Sequence, residues 1–486
     1  MPLPLSPLRV FPPAPAPVPV SLAVALALAV LSSCAATPIA VRAPLASPTR
    51  VRTRAPYAPP PSRALEWIRT LASEAGPRLS GSPGDPLAVA WGVRVMRLAG
   101  LTNVHTESVR APHWSRGAES GEIVTPVPHV LSLAALGGSV GTDAPVEAEV
   151  VEVQTLDAIG TLAPTSVRGH IVFVNHRMER ARDGGGYGRG IGVRLRAAVV
   201  AARAGAIAVV IRSIGTDNAR TPHTGMMLYA DGVPRIPAAA LSHPDADVLH
   251  DLVASGSAVR IRMSLGARLL PEVDTANVVG EVRGSERPDE VVLMGGHLDS
   301  WDLGMGAIDD GAGCAIVLEA ARRLAERARP PRRTLRIVFF ANEENGGAGA
   351  RAYAQAHADE LSRHIVALEA DTGDGRVYGV RYSGAAESRP LFRRVLRALR
   401  PLHLVVDDDP AHGGADLGPL SPAHVPLIDL RQDMTTYFDY HHTANDTPAI
   451  VDAAALDQAV DAYARLAGAL VDMDGDFGRA PPRPER

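Results

Sequence analysis

His297, Asp299, Asp309, Glu343, Glu344, Asp371 and His442 are the side chains whose types and positions suit metal-assisted hydrolysis. That chemistry needs a few hard and borderline donors converging from separate strand ends, one carboxylate shared between cations, and another left free as a base. His297 follows the apolar run VVLM and a Gly-Gly break. Asp299, two residues on, is placed to accept from the other ring nitrogen and so fix the ligating tautomer. Asp309 stands beside Asp310, just before an apolar stripe at helical spacing (Cys314, Val317, Leu318, Ala321, Leu324). One of the two is expected to cap that helix and the other to ligate. Glu343 and Glu344 follow the strand-like run IVFFA. Adjacent carboxylates at a strand end point in different directions, so one can bind metal while its neighbour holds the attacking water. Asp371 closes LEAD, where a buried carboxylate is costly without a partner. His441 and His442 lie in a loop, with Asp446 shortly after. Most of these donor clusters end an expected strand or begin the next helix. That coincidence is the signal, more than any one residue.

The elements that must hold them can be read from hydrophobic periodicity. Expected strands at 289–295, 333–341, 364–371 and 425–430 alternate with expected helices at 311–329, 346–358, 388–399 and 453–473. Such alternation gives an α/β fold, a mostly parallel sheet with helices on both faces. Two further helical patterns, ALEWIRTLASEAG and PLAVAWGVRVMRLAG, precede it. Between 146 and 270 short β-rich runs (VEAEVVEV, HIVFVN, IAVVIRS, AVRIRMSL) surround helices near 193–204 and 245–254. This region is expected to be a small α/β unit inserted between two parts of one domain, 62–145 and 271–473. The glycine-rich stretch 184–192 is expected to be a flexible loop near the site's mouth. Residues 35–61, rich in Pro, Ala and Arg, are expected to be a disordered tether, and 474–486 a flexible tail. Gly137–Gly141 matches G-x-S-x-G, but a β-rich run rather than a helix follows it, so it is not a nucleophile elbow.

Composition excludes several alternatives. All 49 cationic side chains are Arg, which rules out a Schiff-base lysine and a P-loop. The net charge of −4 leaves no basic field for nucleic acid. Cys34 and Cys314 are the only cysteines, so neither a disulfide framework nor a cysteine-ligated zinc site can form. The apolar run near 20–31 is too short to span a ~30 Å hydrocarbon core and fits a signal peptide over 1–34. Leu31-Ser32-Ser33-Cys34 resembles a bacterial lipobox. That resemblance implies export to the cell envelope or periplasm and a lipid anchor at Cys34, the only membrane attachment expected, with Ala35 favouring the outer membrane; the alternative is ordinary signal-peptide cleavage near Ala35-Ala36, leaving a soluble exported protein.

The segment HLDSWDLGMGAIDDGAG, the Glu343-Glu344 pair, the Asp371 strand end and HHTANDT resemble peptidase family M28, the zinc exopeptidases. GPRLSGS, PHWSRG, PHTG and DGVPRIPA extend the resemblance from about 62 to 473. The resemblance implies a zinc exopeptidase fold with an inserted protease-associated domain, two zinc ions and a homodimer. Position by position it makes Asp309 the carboxylate bridging both ions. His297 and Asp371 complete one site, Glu344 and His442 the other, and Glu343 is the general base. Choosing His442 over His441 rests on the His-x-x-x-Asp spacing to Asp446. It also implies a cis bond between Asp309 and Asp310. The expected substrate is a dipeptide or short peptide. The competing activities are an aminopeptidase and a zinc amidohydrolase of acylated amino acids; a binding protein on this fold would have lost its ligands, which are intact here. His113, Trp114, His223, His412 and Asp416 lie in or beside the resembling segments, either shaping a pocket or merely satisfied in loops.

Overall fold

The computed structural model describes residues 57–482. The expected signal peptide, Cys34 and most of the tether therefore lie outside the described residues. The end of the tether is a correction, because residues 57–61 are docked. The Tyr57 hydroxyl donates to Asp461 and accepts from Arg465, while the carbonyls of Pro60 and Pro61 accept from Arg323 at 3.3 and 3.2 Å.

Apolar runs that stay buried along their whole length form the centre of the larger sheet. Arg333–Phe340, Arg287–His297, His364–Glu369 and Leu427–Gln432 lie side by side and parallel. Every residue of Arg333–Phe340 and His364–Glu369 is buried, as expected for strands covered on both faces. Arg268–Val282 and then Thr102–Ser115 extend one edge antiparallel; Val377–Ser383 and Val405–Val406 extend the other. The two flanks make the sheet more mixed than the alternating pattern implied.

One face carries helices Ala64–Glu74, Gly84–Leu98, Gly311–Ala325 and Ala453–Asp472 in a single core. Gly311–Ala325 is buried at 12 of its 15 positions because it packs against the sheet and against two other helices at once. Its Gly, Ala and Cys side chains are small enough to allow that approach. The other face is covered by Ala348–Ala356, whose Ala350 and Tyr353 meet Leu417 and Leu420.

A second sheet runs in the order His129–Val130, Glu119–Thr125, Arg260–Leu265, Val146–Val153, Ile171–Val174, Ala208–Arg212, Ala238–Leu241, Leu133–Ala135. Helix Gly185–Arg203 packs on one face and His243–Ala254 on the other. Its extent corrects the expected start at 146, since three short strands between 119 and 135 already belong to it. The strand Arg268–Val282 then returns to the first sheet.

The stretch 184–192 is not a loop: helix Gly185–Arg203 begins there. Gly186 serves close approach, because a Cβ there would lie 1.9 Å from the Glu179 carbonyl oxygen. The expected flexible tail is likewise packed in part. Phe477 is fully buried against Tyr382 and Phe392, and the Ala480 amide donates to the His424 carbonyl at 2.9 Å. Truncating a phenyl ring in such a core costs about 3–5 kcal/mol. Phe477→Ala is therefore expected to lower the unfolding free energy by that amount in urea titration, whereas a disordered tail would register no change. No helix among the described residues is long and apolar enough to cross a membrane.

Candidate metal centre

Parallel strands that end together put their following residues on one rim, where open α/β sheets hold their chemistry. His297 is the last residue of Arg287–His297 and pairs with Phe340, so Glu343 and Glu344 emerge beside it. Asp371 lies two residues past Glu369 on the neighbouring strand, and His442 is in the loop beyond Leu427–Gln432. Asp309 precedes helix Gly311–Ala325, with Asp310 as the cap: its Oδ1 accepts from the Gly313 amide at 2.9 Å and its Oδ2 from the His297 amide at 3.0 Å. The Asp309–Asp310 bond is cis.

Asp309 sits between two groups. Its Oδ1 lies 3.2 Å from His297 Nε2, which is also 3.4 Å from Asp371 Oδ1. Its Oδ2 lies 3.1 Å from His442 Nε2, which is 2.9 Å from Glu344 Oε2. The structure thus brings together the five residues singled out as ligands. His441 Nε2 is 3.4 Å from Asp309 Oδ2 as well, with its ring stacked on His442.

Backbone acceptors set both imidazoles. His297 Nδ1 donates to the Asp299 carbonyl at 3.0 Å and His442 Nδ1 to the Thr224 carbonyl at 3.2 Å, so each Nε2 turns toward the carboxylates. This corrects the role expected of Asp299. Its carboxylate stands 3.9 Å from His297 Nδ1 and instead accepts from the Glu343 amide at 3.0 Å. Two residues after a histidine the main-chain carbonyl reaches the ring first, leaving the side chain to span to the adjacent strand.

Supports from elsewhere in the chain hold the loops. Arg78, fully buried, donates to the carbonyls of Leu298, Met305 and Gly306 at 2.5, 2.6 and 2.8 Å. The carboxylate of Asp446 accepts from the amides of Ala307 and Ile308 at 2.9 and 2.8 Å. His442 adopts a left-handed backbone (φ 61°), uncommon for a residue with a side chain. It is held there by the His223 ring donating to the His441 carbonyl at 2.7 Å and the Thr224 amide donating to the His442 carbonyl at 3.1 Å.

The charge balance is lopsided. Asp299, Asp309 and Glu344 are buried, and Asp371 and Glu343 stand beside them. Burial, then Asp371, Glu344 and Asp299, push the Glu343 carboxyl up to about 8. Asp309 Oδ2 and Glu344 Oε1 are buried without a hydrogen bond. Carboxylates gathered this densely call for cations.

These groups open into a cavity of about 480 Å³, walled by Tyr187, Ile191, Met434 and Phe438. Arg194 is the guanidinium lining it. Sequence reasoning missed Arg194. The available signal was its position in an otherwise apolar helical stripe with Ala197, Ala198 and Ala201, all buried. His113, Trp114, His223, His412 and Asp416 are not among the residues lining this cavity. Trp114 is structural, donating to the Ser139 carbonyl at 2.9 Å and meeting Trp301 edge-on. Ser139 is buried, its hydroxyl spent between Val140 and Ala238.

A parallel-stranded α/β sheet whose rim gathers two imidazole–carboxylate groups about one aspartate is a hydrolase architecture, and comparison with known proteins places it. Residues 277–467 match the family description Peptidase family M28. The chain belongs to that family and is a peptidase. It is 36% identical over 414 residues to carboxypeptidase Q of Mus musculus, covering 85% of this chain and 86% of that one. A solved structure of a peptidase M28 precursor from Shewanella amazonensis SB2B superposes with a TM-score of 0.85 at 41% identity, over 86% of this chain and 95% of that one. BSAP, a zinc aminopeptidase from Bacillus subtilis, shares the fold at a TM-score of 0.62 and 18% identity, over 84% of this chain and 95% of that one.

Proposed function

We propose that this chain is a two-zinc exopeptidase that removes a residue from dipeptides or short peptides. The observation that carries this reading is Asp309, with one oxygen toward each histidine–carboxylate group. Donors 2.0–2.2 Å from a tetrahedral zinc lie about 3.3 Å from one another. The separations here, 2.9 to 3.4 Å, suit that ion. His297 and Asp371 would hold one zinc, Glu344 and His442 the other, with Asp309 shared. Bound zinc supplies Lewis acidity and lowers the pKa of water.

Glu343 remains outside both ligand groups and on the cavity wall. It accepts the proton of the attacking water and returns it to the leaving amine. The bond from its amide to the Asp299 carboxylate fixes the main chain from which its side chain extends.

Arg194 decides which end of the peptide is read. The carboxylates lining the cavity are Asp309, Glu343, Glu344 and Asp371, all assigned to the metals or the base. None is left over to hold a substrate ammonium. Arg194 has donors to spare: its Nε donates to the Met226 carbonyl at 3.2 Å and its Nη1 lies 3.3 Å from His442 Nδ1, while among the described residues it forms no ion pair with a carboxylate. A buried guanidinium of this kind suits a free C-terminal carboxylate, which it can grip with two parallel bonds. We therefore favour carboxypeptidase or dipeptidase action over aminopeptidase action. Charge-assisted bonds contribute roughly 1.5–3 kcal/mol. Arg194→Gln should therefore raise KM and lower kcat/KM by about 100-fold on dipeptides with a free carboxylate, and change little on the C-terminally amidated series. A panel with blocked amino or blocked carboxyl ends tests the assignment. Amidation should abolish most activity and N-acetylation should be better tolerated; the opposite order would make the enzyme an aminopeptidase. The apolar run near 20–31 and the Leu31–Cys34 segment that follows it support the same activity outside the cytoplasm, on a lipid anchor.

A further inference from the structure

A second convergence of donors lies on the smaller sheet. Strands Ala208–Arg212 and Ala238–Leu241 are parallel neighbours, so the residues after them share one rim, as in the larger sheet. Asp217 follows the first strand, His243 opens the helix after the second, and His223 comes from the intervening loop. One ligand atom from each lies within 4.8 Å of the others. Asp217 Oδ1 is 2.8 Å from His223 Nε2 and 3.4 Å from His243 Nε2. These are the separations found around Asp309.

Three features set this trio apart from an ordinary buried polar contact. His243 is 7% exposed, and its Nε2 is buried with no hydrogen-bond partner, aimed at Asp217. His223 is 1% exposed and its Nδ1 already donates to the His441 carbonyl, so its Nε2 presents to Asp217 either a second proton or a lone pair behind a cation. Gly215 is shaped to the ring: a Cβ there would lie 2.3 to 2.7 Å from His223 ring atoms. The nearby charges are already spent. Arg212 is bonded to Asp247 and Arg180 to Asp439, and neither forms a direct ion pair with Asp217. The Asp217 side chain is itself 7% exposed, so all three donors are enclosed.

We propose that Asp217, His223 and His243 bind one divalent transition cation of the zinc class, separate from the pair around Asp309. Two imidazoles and one carboxylate with an open fourth position form a recurrent zinc ligand set. The site braces the catalytic rim. A cation on His223 Nε2 fixes the ring whose Nδ1 donates to the His441 carbonyl, next to the left-handed His442. The site does not depend on the peptidase reading, and its test is separable from it.

The experiment is a zinc count on the purified protein after equilibration with Zn2+ and removal of excess ion, made on the parent, Asp309→Ala, His243→Asn and the double variant. The expected result is that His243→Asn holds one ion fewer per chain than the parent. Asp309→Ala should retain an ion that the double variant loses. Asp217→Asn is a second route to the same loss should His243→Asn fold poorly, and circular dichroism melts report folding for each. Equal zinc counts in parent, His243→Asn and Asp217→Asn would overturn the proposal and leave the trio as an imidazolium–carboxylate pair. A failure confined to Asp309→Ala would count instead against the two-zinc assignment.

Discussion

Glu343→Gln is expected to lower kcat by about 10³–10⁴-fold, near the upper range for a general base, while zinc content and thermal midpoint stay at the parent's values. Gln keeps the size of Glu and the amide bond to Asp299, so the loop between Phe340 and Ala348 has no reason to move. It cannot accept a proton. The neighbouring position predicts a different signature. Glu344 Oε2 is 2.9 Å from His442 Nε2, so Glu344→Gln removes a ligand along with its charge and should lose zinc and turnover together. Metal analysis beside kinetics therefore separates the two glutamates, which a rate measurement alone cannot do. Turnover of Glu343→Gln within ten-fold of the parent, with zinc retained, would place the base elsewhere.

That two adjacent glutamates can be given different jobs reflects how much of this centre is written locally. The runs VVLM and IVFFA are apolar throughout because their strands are covered on both faces, so the first titratable residue beyond each marks the rim. His297, Glu343 and Glu344 were legible for that reason and Asp371 as the end of LEAD, while the place of Asp309 and Asp310 before the helical stripe announced one cap and one ligand but spacing alone did not say which was which. What was not legible depends on partners distant in sequence. The Asp299 carboxylate spans to the Glu343 amide 44 residues later, a relation no spacing rule encodes. Arg194 reaches the cavity from the other sheet's helix, so its identity as a lining residue follows from how the two sheets meet. Gly184–Gly192 misled for a related reason. Helix propensity counts glycine as a breaker, but here its missing side chain lets the helix lie against the Glu179 main chain. The early start of the second sheet was hidden because Glu119–Thr125 and His129–Val130 are short and half-exposed, without a sustained buried run. Phe477 was one aromatic in a charged, proline-rich tail, and only its contacts with Tyr382 and Phe392 reveal it as core.

Chelation carries the other large effect. Stripping divalent ions is expected to reduce activity to below about one-thousandth of the loaded enzyme and to lower the thermal midpoint, with both recovered on adding Zn2+ back. The stability change follows from linkage. An ion that binds only the folded chain, present at about 1,000 times its Kd, adds roughly 4 kcal/mol. Its size should depend on pH with a definite sign. In the metal-free protein Asp299 is pushed up to about 7, by burial and then Glu344, and Glu343 to about 8, by burial and then Asp371. Unfolded carboxyls titrate near about 4. Between those limits the folded, metal-free chain holds more protons than the unfolded one, so its stability falls as pH rises. Cations remove this penalty by neutralising the cluster. The gap in thermal midpoint between loaded and stripped protein should therefore widen from about pH 5 to about pH 8. A gap that stayed constant, or narrowed, would mean that the carboxylates around Asp309 do not depend on bound cations for their charge balance, and the two-metal reading would fall with it.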